Sequence, residues 1–208
     1  MSKVKTKDRK QSFTDVYANC SWGTENLSGP GSSLQATTMT REIILKVIKE
    51  YDITTIVDVA CGDFIWMPLV LDQLEGSVKY TGCDIVESLV IEHKEKFPQY
   101  NFQNVDFVAD EIPEGDLIIC RDVLQHLPVK DIIRALKNFS ESGAKYLLAS
   151  THIRRFGIRN RINISRPGRC KDRNLIESPF NLPSPIVIYS EQYEEYDKFL
   201  GLWKLPFK

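Results

Sequence analysis

The sequence lacks a sizeable net charge of either sign, any paired-cysteine motif and any long apolar run. Its 27 Lys and Arg against 28 Asp and Glu leave a formal charge of -1. No global field therefore draws the chain to nucleic acid or to a membrane, and such partners have to be read from local clusters. The five cysteines, at positions 20, 61, 83, 120 and 170, form no C-x-x-C pair and are odd in number. Three lie in apolar strand-like runs, as small buried hydrophobes of a reducing compartment do, which argues against a disulfide frame and against zinc. The opening MSKVKTKDRKQ has no apolar h-region, and no later run approaches bilayer length. The expectation is a cytoplasmic protein without membrane insertion, beginning with a flexible basic leader over residues 1–20.

What is present suits one domain. In 208 residues the hydrophobic share of 42% is enough for a proper core. Met39, Ile43, Ile44, Val47, Ile48 and Tyr51 recur at helical spacing, and TTIVDVA (54–60) follows as a β-branched run of the kind buried on both faces. Helical FIWMPLVLDQL, strand VKYTGCD (78–84), helix ESLVIEHKEKF, strands NFQNVDFV and DLIIC (116–120), a helix around Lys130 to Phe139, and strand AKYLLAST (144–151) come next. Such alternation predicts an α/β fold, a doubly wound and mostly parallel sheet with helices on both faces. Residues 152–175 show no clean period and read as a long loop. A short strand IVIY and the terminal KFLGLWKL follow, the latter expected as an antiparallel edge strand.

In such a sheet the ligand lies beyond the carboxyl ends of the strands, so the residues after each strand are the ones to question. The first strand runs into Asp58-Val59-Ala60-Cys61-Gly62-Asp63-Phe64, where a small residue and a glycine allow a tight turn and close backbone approach. A plain strand-to-helix turn would look much the same. The second ends in Gly82-Cys83-Asp84, about twenty residues on, where nucleotide-binding folds place a carboxylate that accepts from ribose hydroxyls. Asp106-Phe107 suits an adenine amino group and ring face. Cys120-Arg121-Asp122 ends the fourth strand, with His126 one turn later. Ahead of all this lies SWGTENLSGPGSS (21–33), three glycines, a proline and four serines around one Trp, which cannot be a regular element.

These residues resemble the class I S-adenosylmethionine-dependent methyltransferases. The family's D-x-G-x-G-x-G is matched by residues 58–64, with Ala60 and Phe64 in place of the first and last glycines. Asp84 falls on its ribose-binding acid, Asp106 on its adenine-side acid, and DLIICRDVLQHL on its strand-four motif. A narrower resemblance, to small bacterial-type methyltransferases often encoded among glycan-modifying functions, covers both ends. It rests on Trp22-Gly23, Ser28-Gly29-Pro30-Gly31-Ser32, Asn174-Leu175, Pro179-Phe180-Asn181-Leu182-Pro183-Ser184-Pro185 and Lys198-Phe199-Leu200-Gly201-Leu202-Trp203.

The resemblance implies a Rossmann-like methyltransferase domain over 1–208, with 21–33 covering the cofactor, 34–151 binding it and 152–208 facing the acceptor. It implies S-adenosylmethionine as cofactor and S-adenosylhomocysteine as product. Trp22, Ser28, Gly29, Gly31 and Ser32 would close over the methionine end; Asp58, Ala60, Gly62, Asp63, Asp84, Ile85, Asp106, Phe107 and Arg121 would form the rest of the site.

Methyl transfer from a sulfonium is an in-line displacement, so positioning and water exclusion dominate, and a hydroxyl acceptor also needs a base. Asp122, His126 and His152 lie at the right strand ends; His93, on a charged helix face, does not. An Asp and a His could also hold a divalent metal, but two ligands make no coordination sphere. Between His152 and Arg173 stand Arg154, Arg155, Arg159, Arg161, Arg166, Arg169, Lys171 and Arg173, eight cations in 22 residues. Arg154, Arg169, Lys171 and Arg173 suit a phosphate- or carboxylate-bearing sugar, nucleotide-sugar or glycan. The acidic run Glu191 to Asp197 could equally balance them.

The leading expectation is O-methylation of a sugar or glycan hydroxyl. An RNA or protein acceptor docked on the Arg-rich loop stays open, although Phe156 is its lone aromatic and no D-P-P-Y-like motif follows strand four. So do an NAD-dependent oxidoreductase, disfavoured by the lost glycine and the lack of a second substrate domain, and a non-catalytic nucleotide-binding module. The chain could also be one domain of a larger protein.

Overall fold

The computed structural model describes residues 9–153, 160, 164, 168–192 and 198–207. Its centre is a seven-stranded sheet of β1 (Thr55–Val59), β2 (Lys79–Asp84), β3 (Asn101–Asn104), β4 (Leu117–Cys120), β5 (Tyr146–His152), β6 (Val187–Ser190) and β7 (Lys198–Lys204), in the order β3-β2-β1-β4-β5-β7-β6. The first five run parallel; β7 pairs antiparallel with both β5 and β6. The expected antiparallel pairing at the C-terminal end is present, but KFLGLWKL lies one position inside the edge, which β6 takes. Strand order reverses between β1 and β4, so the carboxyl ends of these two strands open the crevice where a ligand can sit.

The helices are α1 (Arg9–Ala18), α2 (Thr38–Glu50), α3 (Pro68–Leu71), α4 (Glu87–Lys96) and α5 (Val129–Glu141). All four residues of β4 are buried because the sheet is covered on both faces. Ile118 and Cys120 join α5, with its stripe Ile132, Ala135, Leu136 and Phe139, on one face. Leu117 and Ile119 meet Ile43, Ile44, Val47 and Val70 of α2 and α3 on the other.

Three elements depart from their sequence expectation for local reasons. The helix over FIWMPLVLDQL shrinks to α3 because Pro68 can only begin a helix. β3 stops at Asn104 because the Asp106 carboxylate accepts from the Val108 amide at 3.1 Å and turns the chain. The leader expected to be flexible is helical over residues 9–18. Arg9 ties α1 down, with Nη2 2.7 Å from Asp106 Oδ2 and Nη1 3.1 Å from Asp131 Oδ2. Among the described residues no helix is long and apolar enough to cross a membrane.

Candidate active site

The turn after β1 is built by its neighbours. Gly62 has φ 57°, and its amide donates to Asp84 Oδ2 at 3.1 Å while its carbonyl accepts from His93 Nε2 at 2.7 Å. The Asp84 carboxylate also takes the Val86 amide at 2.9 Å, so one side chain fixes both strand ends. A Cβ at Gly62 would stand 2.4 Å from Ser28 Oγ, so this backbone position needs glycine for space as well as for φ. Phe64, where the family pattern has glycine, adopts φ 55°. Its ring is buried among Tyr80, His93, Phe97 and Phe102, contacts that offset the strain of a left-handed aromatic residue.

The SWGTENLSGPGSS segment is stitched onto that turn. Ser28 N donates to Asp63 Oδ2 and Asp63 N to Ser28 Oγ, both at 2.9 Å, a reciprocal pair that satisfies two loop amides at once. Tyr17 OH lies 2.7 Å from the same Ser28 Oγ, which adds α1 to the joint. Trp22 donates from Nε1 to the Gly168 carbonyl at 3.2 Å, and its ring lies 4.7 Å from that of His126.

Together these segments enclose a cavity of about 470 Å³, within the ~300–1,000 Å³ range of cofactor-sized sites. Of the expected residues, Trp22, Ser28, Gly31, Ser32, Asp58, Ala60, Gly62, Asp63, Asp84, Ile85, Phe107, Arg121, Asp122 and His126 line it. Gly29 does not; a Cβ there would make ordinary contact with Trp22 at 3.4 Å. Burial pushes Asp84 up to about 6, even with two amides bonded to it, and Asp58 up to about 7 against the Tyr80 hydroxyl at 2.9 Å. A cation entering the cavity would return both toward the ionised form.

The β4 end is a cluster of charges. Burial alone would raise Asp122, but the Arg121 guanidinium at 3.2 Å and the Lys198 ammonium at 2.7 Å more than reverse this and hold it well below the usual carboxylate range. An acid so stabilised is a poor proton acceptor. His126 is different. Burial lowers its pKa, so the ring is neutral at pH 7, and its Nδ1 has no hydrogen-bond partner among the described residues.

Four expectations are corrected. Asp106 does not line the cavity; it is spent on Arg9 and on its own turn. His152 is buried and does not line the cavity, with Nδ1 at 3.3 Å from both the amide and the carbonyl of Arg173. Arg173 is itself only 1% exposed, donates to the Asn160 carbonyl at 2.9 Å and does not line the cavity. His93 is buried at the back of the Gly62 turn, a position legible in the Leu89, Val90, His93 stripe of α4. Arg169 and Lys171 flank Cys170 at the cavity rim, Arg169 exposed and Lys171 half-buried. Arg154 falls outside the described residues. Sequence reasoning missed Phe13, Tyr17, Trp66 and Gln125 in the wall, and Glu191 and Lys198 behind it.

The residues fit an adenosyl cofactor. Asp84, at the end of β2, and Gly62 both line the cavity, and Gln125 Oε1 in its wall has no partner among the described residues. Among those residues, no group of three or more His, Cys, Asp or Glu side chains is placed to hold a metal ion.

Residues 57–143, from β1 through α5, match a family model described as a methyltransferase domain. No curated protein is significantly similar in sequence. Solved structures share the fold. Magnesium protoporphyrin IX methyltransferase from Synechocystis with bound SAM superimposes with a TM-score of 0.66 at 14% identity, over 96% of this chain and 98% of that one. The N-methyltransferase NodS from Bradyrhizobium japonicum in complex with S-adenosylhomocysteine gives 0.61 at 14% identity, over 96% and 100%. A Burkholderia thailandensis 1,6-didemethyltoxoflavin-N1-methyltransferase gives 0.66 at 10%, over 94% and 86%.

Proposed function

We propose that the protein is an S-adenosylmethionine-dependent methyltransferase that methylates a hydroxyl of a sugar or glycan. The observation that carries the cofactor assignment is the shared cavity of Asp84, Gly62 and the stitched loop 21–33 at the carboxyl ends of β1 and β2. Asp84 would accept from the ribose hydroxyls, Phe107 and Ile85 would take the adenine, and the 28–32 backbone would meet the aminocarboxylate. The antiparallel β7 between β5 and β6 also separates this sheet from the dinucleotide-binding order, which favours the sulfonium cofactor over NAD.

When bound, the cofactor supplies an electrophilic methyl group. The chain then has to exclude water, hold the acceptor oxygen in line and remove its proton. Trp22, its ring tilted against that of His126, closes the wall at the β4 end. The neutral imidazole of His126 is suited to take the hydroxyl proton, while Asp122, paired to two cations, keeps its electrostatic role. Arg169 and Lys171 at the rim favour an acceptor that carries phosphate or carboxylate, as nucleotide-sugars and acidic glycans do.

Calorimetry with S-adenosylmethionine, S-adenosylhomocysteine and NAD tests the cofactor: micromolar binding of the two sulfur ligands, lost in Asp84→Ala, is expected, and a preference for NAD overturns the proposal. Turnover to S-adenosylhomocysteine with a panel of nucleotide-sugars, against RNA and peptide panels, tests the acceptor.

A further inference from the structure

Arg121 joins parts of the chain that are far apart in sequence. Its Nε donates to Glu191 Oε1 at 2.7 Å and to Thr40 Oγ1 at 3.2 Å; its Nη1 donates to the Gly31 carbonyl at 2.9 Å. Lys198 completes a ring, with Nζ 2.7 Å from Asp122 Oδ2 and 3.3 Å from Glu191 Oε2. The side chains of Arg121 and Glu191 are 4% and 0% exposed, and those of Lys198 and Asp122 10% and 17%. Two cations and two carboxylates alternate around the ring, so each charge finds inside it the partner that burial otherwise denies.

A guanidinium is a planar fork, so fixing Nε fixes where Nη1 points. Glu191 holds Nε, and Nη1 is thereby turned onto the carbonyl of Gly31, inside the 3-10 turn Pro30–Ser32 of the covering loop. Gly31 also faces the Asp122 carboxylate, since a Cβ there would meet Asp122 Oδ2 at 3.2 Å. Neither Glu191, just after β6, nor Lys198, at the start of β7, lines the cavity.

We infer that Glu191 and Lys198 are positioning residues that act through Arg121 to hold the Pro30–Ser32 turn over the cavity, so that the C-terminal strand pair sets how long a ligand stays bound. The effect on ligand release rests on the proposed cofactor site, whereas the clamp is a property of the ligand-free protein.

Hydrogen exchange of the ligand-free protein tests the clamp. In Glu191→Gln the amides of residues 28–33 should exchange ~10-fold faster, the size expected when a charge-assisted bond is weakened. Amides of β1 and β4 should keep their wild-type protection. Arg121→Lys, which keeps the ring's charge but not the fork, should do the same, and Lys198→Met, which leaves Arg121 its contacts, should give about a third of the effect. By stopped flow, S-adenosylhomocysteine should leave Glu191→Gln ~10-fold faster with its association rate unchanged. Unchanged loop exchange in Glu191→Gln and Arg121→Lys, or acceleration only in step with β1 and β4, overturns the inference. If the wild type binds no S-adenosylhomocysteine while loop exchange responds as expected, the proposed function fails and the clamp stands.

Discussion

At the β1–β2 end of the cavity the polar groups are mostly backbone amides, and their partners lie 22 to 35 positions away in the chain, as in Gly62 to Asp84 and Ser28 to Asp63. At the β4 end they are charged side chains with partners 70 to 90 positions away, as in Arg121 to Glu191, Asp122 to Lys198 and Arg121 to Gly31. The first end is specified by loop geometry and tolerates no added atom. The second is specified by charge balance and depends on the sheet having closed around it. Rigidity in one half thus comes from sterics, and in the other from electrostatics.

Four substitutions sharpen that contrast. The largest effect is expected from Gly62→Ala, which combines a strained φ with a Cβ placed 2.4 Å from Ser28 Oγ. Cofactor affinity should fall ~100-fold or more, and stability by about 1–3 kcal/mol, read by calorimetry and thermal melting. His126→Asn should leave cofactor affinity near wild type and lower kcat ~100-fold, the lower end of general-base contributions. At the charged end, Asp122→Asn keeps the shape and removes one ring charge; affinity for S-adenosylhomocysteine should fall ~10-fold, with more salt dependence than any change at the β1 end.

The smallest effect concerns pH. Asp84 titrates at about 6 in the folded chain and near 4 when unfolded, so the folded state holds the extra proton between these values. Its contribution to stability is complete below about pH 4 and is lost as pH rises through about 6. Asp84→Asn removes that slope: the Tm of the variant minus that of wild type should increase from pH 5 to pH 8. A flat difference would mean that the buried carboxylate is already ionised.

The same contrast explains what could be read from sequence. The Gly62 turn, Asp84 and the serine-glycine loop were legible because strand-turn-helix chemistry is local and the residues lie in order. The sheet was legible for the same reason, from alternating apolar runs. Asp106 looked like a cofactor residue because nothing near it in sequence announces Arg9 as its partner. Glu191 looked like a counter-charge for the basic segment, yet it pairs with Arg121 and Lys198, a choice fixed by β7 inserting beside β5. His152 met the strand-end criterion, but its ring lies against the Arg173 backbone and does not line the cavity.

The wide sequence separations have a consequence for synthesis on the ribosome. Trp22 finds its acceptor at Gly168, and Gly31 is held through Arg121 by residues at 191 and 198. The first segment of the pocket to be made is therefore the last to be secured. Until the β6–β7 pair emerges, a nascent chain that has already made β1 through β4 lacks Glu191 and Lys198, the side chains that hold Arg121 on the Gly31 carbonyl.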